Sequence, residues 1–244
     1  MRRISLRHVV ALVCCVLPAA LPTLAQSSFR IVLPTILRAG TGGPVGPTHS
    51  GDGTYYNANG DGNCMFGPSP NDMMVAAMNH TDYNGAALCG AYVQATGPKG
   101  SVLVRIVDRC PECPAGDIDF SPQAFAVIAD LPQGRVPITW RLSSPEITGP
   151  IAYRFKEGSN QWWTAVQVRN HRNPIATFEY KAGNGQFVTV PRMDYNYFVQ
   201  SSGMGPGPYT FRVTDVYGNV LVDTGIPHSE GAVVPGSGQF PPAP

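Results

Sequence analysis

The sequence has 244 residues, 43% apolar but only 14% charged, with 27 glycines, 24 prolines and a formal net charge of +1. That length fits two small domains better than one large one, and short apolar runs punctuated by Gly and Pro argue against long amphipathic helices and for mostly β structure. The near-neutral balance excludes a strong field for nucleic acid or acidic polymers, and no nucleotide or metal is required, since no Gly-rich phosphate loop, Ser/His/Asp set or metal-helix pattern appears.

Residues 1–25 read as a secretory signal, with Arg2, Arg3 and Arg7 as the basic region, Val9 to Leu21 as the apolar region and Thr23-Leu24-Ala25 at the cleavage site. A membrane anchor is the rival, but Pro18 and Pro22 break a stretch already short for a span of about 20 apolar residues. Loss of those three arginines takes the charge from +1 to −2; the expected product is secreted, free of the membrane and monomeric. Residues 26–48, rich in Gly and Pro, have linker composition.

Residues 49–145 form a first strand-rich domain, with apolar runs at 87–95, 101–107 and 136–142. In the last run Val136, Ile138, Trp140 and Leu142 share one face, which predicts a buried Trp140. One short helix is expected, with Ser121 as N-cap and Pro122 in its first turn, turning Phe125 and Ile128 or Ala129 inward. After a hinge at 145–150, residues 150–230 alternate at Tyr153/Phe155, Val166/Val168, Phe178/Tyr180, Phe211/Val213 and Val220/Val222, which is the spacing of a β-sandwich. The tail, 231–244, is expected to be poorly ordered.

Of six cysteines, Cys14 and Cys15 fall in the signal, leaving Cys64, Cys89, Cys110 and Cys113 for an oxidising compartment. Three pairings are open, with Cys64 to Cys89 and Cys110 to Cys113 preferred; zinc is the rival, but a second CxxC or a paired His motif is missing. His80, His171 and His228 have no partner spacing and read as surface or turn residues.

Two carboxylates carry the candidate chemistry. Asp108 ends the strand at 101–107 and Asp119 stands just before the Ser121-Pro122 helix start. A carboxyl whose pKa burial keeps high can protonate a glycosidic oxygen, and hydrolysis by the usual route needs a second carboxylate about 5–9.5 Å away, for which Asp52, Asp108, Glu112 and Asp117 are candidates. As the plainer alternative, Asp119 is a turn or cap residue.

Six segments in order, Gly53-Thr54-Tyr55, Val107-Asp108-Arg109, Asp117 to Pro122, Tyr153 to Gly158, Trp162 to Asn170 and Met193 to Asn196, closely resemble the motifs of the bacterial expansins over residues 50–240. The resemblance implies an all-β protein, a six-stranded double-psi β-barrel followed by an immunoglobulin-like β-sandwich that binds cellulose, loosening cell walls without cutting bonds. It implies a polar site of Thr54, Asp108 and Asp119, the last at the position family-45 glycosidases use as general acid, with their catalytic base lacking. It also implies a row of Trp162, Trp163 and Tyr195, with Lys156 beside it, on which sugar rings stack. One departure is Cys110, where relatives can carry tyrosine; Tyr55, Tyr56 or Arg109 are candidates to rebuild that sugar contact. The partners implied are cellulose and other wall polysaccharides, with peptidoglycan as a second target; the alternative activity is a glycoside hydrolase or peptidoglycan lytic enzyme. Bottom-up, the tryptophan pair conflicts with this row: in a regular strand Trp162 shares the inward face of Val166 and Val168 while Trp163 points outward, so both can face a ligand only if the chain bends there.

Overall fold

The structure, a computed structural model, describes residues 43–244. The signal and most of the linker lie outside the described residues. Six strands close a barrel: β1 (Pro44–Tyr55), β2 (Val75–Asn79), β3 (Tyr92–Gly97), β4 (Gly100–Cys110), β5 (Ile118–Phe120) and β6 (Val136–Ser143), in the order β1-β5-β2-β4-β3-β6. The pairs β1–β5 and β2–β4 are parallel and the others antiparallel. Two short helices accompany them, α1 (His80–Tyr83) and α2 (Pro122–Ile128).

Local signals account for several of these elements. The Ser121 hydroxyl accepts from the Ala124 amide, satisfying one free N–H of the first turn of α2, and Phe125 and Ile128 are fully buried. In β6 burial alternates through Val136, Ile138 and Trp140, and the buried Trp140 indole donates to the Gly116 carbonyl at 2.8 Å. Disulfides join Cys64 to Cys89 and Cys110 to Cys113.

The second half is a pair of four-stranded sheets. One runs β10-β9-β12-β13, from β9 (Ile175–Lys181), β10 (Phe187–Thr189), β12 (Tyr209–Asp215) and β13 (Val220–Ile226); the other runs β11-β8-β7-β14, from β7 (Ala152–Phe155), β8 (Thr164–Arg169), β11 (Phe198–Gln200) and β14 (Val233–Pro235). Tyr153, Phe155, Phe178, Phe211 and Phe240 fill the space between them.

Four expectations are corrected. Strand β1 begins at Pro44, inside the stretch expected as linker, because Pro44 and Val45 pair with Ser143 and Leu142 across a bulge in the β1–β6 ladder. The tail is structured: β14 adds to β7 and Phe240, 1% exposed, plugs the sandwich core, so one aromatic outweighs a breaker-rich composition. Residues 87–90 are turn rather than strand, held by the Cys64–Cys89 bridge and by Gly90 at φ +78°. His171 is buried rather than superficial, its Nδ1 within 2.8 Å of the Asn173 carbonyl oxygen.

The barrel and the sandwich meet along β8. Its strand pattern is buried on both faces: Val166 and Val168 belong to the sandwich core, and Gln167 donates to the Cys64 carbonyl at 2.9 Å while Arg169 reaches the Phe66 carbonyl. A β-sheet face that would otherwise be wet is thereby covered by the neighbouring domain.

Candidate functional site

Register explains how the polar residues converge. Ala77 of β2 pairs with Asp108 on β4 and with Asp119 on β5, and Asp119 in turn pairs with Thr54 on β1. Residues in register on adjacent strands point to the same face, so Asp108, Asp119 and Thr54 form one row. The row depends on a bulge: Ala76 pairs with Ile106 but Ala77 pairs with Asp108, and the extra residue, Val107, turns into an apolar cluster with Ala58 and Val75.

The two carboxylates are treated differently. Asp119 is half-buried and its Oδ1 accepts the Thr54 hydroxyl at 2.6 Å. Burial pushes its pKa above the ordinary carboxylate range and the charges of Glu112 and Asp108 add to this, while Thr54 and Arg135 oppose it. Asp108 is tied down instead: its Oδ1 accepts the amides of Asn63 at 2.6 Å and Arg109 at 2.7 Å. Gly62 packs so closely on the Asp108 carboxyl that a Cβ there would overlap it. The buried Tyr56 hydroxyl lies beside Asp108 without a hydrogen bond of good geometry, and burial, then Asp108 and Asp119, push its pKa upward.

The aromatic residues sit on the turn that leads into β8. Trp162 is 72% exposed, Trp163 is half-buried, and the regular strand starts only at Thr164. Asn160 makes the bend, its Oδ1 accepting the amides of both Trp162 at 2.9 Å and Trp163 at 3.1 Å. Trp162 is therefore not on the inward face that a continuous strand would give it. Tyr195 is half-buried with its ring centroid 6.1 Å from that of Tyr197, and Lys156 Nζ stands 5.7 Å from the Tyr197 ring centroid. Lys156 thus lies over Tyr197, a residue the sequence reading did not single out.

The segment 194–196 is clamped to the barrel. The Asp194 carbonyl accepts from the Tyr83 hydroxyl at 2.7 Å and from Asn63 Nδ2 at 2.8 Å, and Arg109 Nη1 approaches Asp194 Oδ2 at 4.0 Å. Asn63 therefore links the two constellations: its amide N–H holds Asp108 and its side chain holds the residue before Tyr195.

Comparison with known proteins places this architecture. The chain is 41% identical over 204 residues to Expansin-YoaJ of Bacillus subtilis, a match that takes in 79% of this chain and 87% of that protein. It belongs to the bacterial expansins. The crystal structure of a Clavibacter michiganensis expansin aligns with a TM-score of 0.76 at 36% identity, over 81% of this chain and all of that one. A mutant of that protein, solved in complex with cellohexaose, aligns at 0.75 with the same identity and coverage. The family model described as lytic transglycolase matches residues 50–140, which lie within this expansin's barrel.

In this expansin, Gly62, Asn63, Tyr83 and Tyr197 were the site neighbours that sequence reasoning missed. The Gly60-Asp61-Gly62-Asn63 run before Cys64 is a turn signal, but nothing in its spacing says that the turn folds over Asp108. Among the described residues there is no His/Cys/Asp/Glu group arranged to hold a metal ion.

Proposed function

We propose that this expansin is a secreted wall-loosening protein that adsorbs to cellulose and related glucans through Trp162, Trp163 and Tyr195, with Lys156 at the edge, and works on a neighbouring glucan strand through Thr54, Asp108 and Asp119, without hydrolysis. Aromatic faces suit the apolar faces of pyranose rings. A ring buries roughly 150–250 Å² in all, so partial stacking on three of them at about 25 cal/mol per Å² supplies several kcal/mol before association costs. The Asp119 carboxyl, which burial favours in its protonated form and the Thr54 hydroxyl in its charged form, accepts hydrogen bonds from sugar hydroxyls and donates one when protonated.

The observation that carries the non-hydrolytic reading is the state of the other carboxylates. A hydrolytic partner for Asp119 has to hold a water or attack a sugar carbon. Asp108 is covered by Gly62 and holds two amides. Asp117 is buried and accepts the Asp52 amide at 2.8 Å, and Asp52 pairs with Arg135 at 3.0 Å. Each therefore has a structural occupation.

Asp119→Asn tests the assignment. Wall strips treated with it are expected to show no creep while adsorption to cellulose stays within about twofold of wild type, a change under about 0.5 kcal/mol; normal creep would remove Asp119 from the site.

One observation favours a lytic reading: Glu112, exposed on the Cys110–Cys113 loop, contributes more than any other charge to raising the Asp119 pKa. If Glu112 serves as a base, sugar release occurs in wild type and drops by about 10²-fold or more in Glu112→Gln. Absence of release from both proteins would dispose of that activity.

A further inference from the structure

At the seam between barrel and sandwich lies a cavity of about 310 Å³, lined among others by Phe66, Tyr92, Arg105, Arg169 and His171, that shares no residue with the polar row or the aromatic turn. Two guanidiniums enter it from different domains, Arg105 from β4 and Arg169 from the end of β8. Each guanidinium carbon stands 5.3 Å from the centroid of the Phe66 ring, so one apolar ring orients both forks. Among the described residues most of their hydrogen-bonding capacity is unspent. Arg105 meets the Asp72 carboxylate only at 3.9 Å, and Arg169 Nη2 donates to the Phe66 carbonyl, whereas a guanidinium carries several further N–H donors.

The charges lining the cavity favour an anion. Arg105 and Arg169 outnumber Asp72 by one charge, and His171, whose pKa burial holds down to about 4, stays neutral above that pH. Burial lowers the Arg169 pKa, and the neighbouring Arg154 and Arg105 cations push the same way, so an anion placed among them relieves the repulsion. Burial pushes the Tyr92 pKa up, which keeps its hydroxyl a donor. Gly90 makes the room: a Cβ there would lie 2.6 Å from His171 Nε2 and 3.1 Å from the Phe66 ring. At about 310 Å³ the space is at the small end of ligand sites, the size for one sugar residue rather than a chain.

We propose that this seam cavity takes the carboxylate of a hexuronic acid residue from an acidic wall polysaccharide, held by the planar forks of Arg105 and Arg169 with the Tyr92 hydroxyl on the sugar. Fork geometry matches a carboxylate or a phosphate oxygen pair, and the single excess positive charge favours the carboxylate over a phosphate dianion. The site rests on the reading that the protein works at a cell wall, and it adds a second attachment to acidic matrix polymers beside the one to neutral glucan.

Titration calorimetry of the full chain in low-salt buffer with trigalacturonate, with its fully methyl-esterified form and with inorganic phosphate tests this. Trigalacturonate is expected to bind and the ester to give no heat. Arg105→Gln is expected to weaken binding about tenfold or more, and Arg105→Lys, which keeps the charge and loses the fork, severalfold, while adsorption to crystalline cellulose is unchanged in both. Equal binding of acid and ester, or wild-type affinity in Arg105→Gln, would overturn the site. Displacement of trigalacturonate by phosphate at equal or lower concentration would overturn the saccharide assignment. Wild-type binding of trigalacturonate together with failure to adsorb to cellulose supports the cavity and contradicts the glucan reading alone.

Discussion

Asp119 and His171 are both displaced from their ordinary pKa ranges by burial, with opposite consequences for stability. The unfolded His171 takes a proton below about pH 6.5, whereas the folded one resists until about pH 4. The unfolded state therefore binds more protons in that window, and stability falls as pH drops through it, by at most about 3 kcal/mol on a scale of 1.36 kcal/mol per unit. Asp119 runs the other way: its raised folded pKa gives a contribution fully present below the unfolded value of about 3.9 and lost as pH rises through the folded one. Denaturant unfolding of wild type and His171→Gln at pH 4 and pH 6.5 isolates the histidine. The variant is expected to lose much of the wild-type drop, and parallel curves would show that His171 is not the buried neutral group described.

At the scale of elements, the turn at Asn160 decides whether the tryptophans can serve a ligand. Replacing its side chain removes the acceptor shared by both indole-bearing residues' amides, so Asn160→Ala is expected to let the pair relax and to weaken cellulose adsorption severalfold, with the far-UV spectrum unchanged. The joint change of Trp162, Trp163 and Tyr195 to Ala is expected to abolish adsorption; retention of binding in depletion assays would take the aromatic row out of the account. What the sequence made legible at this scale was local. The Ser121-Pro122 start, the period-two burial of Trp140 and the alternation in the sandwich strands each follow from residues close together in the chain. The reading of the tryptophan pair was half complete: periodicity showed that a regular strand could not serve both rings, but the Asx bend that resolves it rests on one asparagine side chain. The bulge at Val107 and the cover of Gly62 and Asn63 over Asp108 were out of reach, because they are set by partners 30 to 45 residues away. Strand β14 and Phe240 were hidden by a tail whose composition argues for disorder until the core it completes is known.

Across the whole molecule, the two halves are joined by hydrogen bonds that also shape both constellations. Gln167 and Asn196 share the Cys64 carbonyl, Arg192 donates to Ala86 at 2.8 Å, and Asn63 and Tyr83 hold Asp194. The segment bearing Tyr195 is thereby held against the barrel loop that covers Asp108, and under the proposed function a glucan engaged by the sandwich is presented to the polar row across this hydrogen-bonded seam. The proposed function requires this coupling: adsorption energy gathered on the aromatic turn would reach a strand at Asp119 only if the two proposed sites keep their spacing. The most direct test measures extension and chemistry on the same sample. Purified protein is applied to heat-inactivated wall strips or cellulose paper under load, and soluble sugars are quantified by mass spectrometry over the full time course. The account predicts sustained extension with fewer than about one bond cut per protein molecule, no turnover in the sense of a rate-accelerated reaction; release of many sugars per molecule, or adsorption without extension, would contradict it.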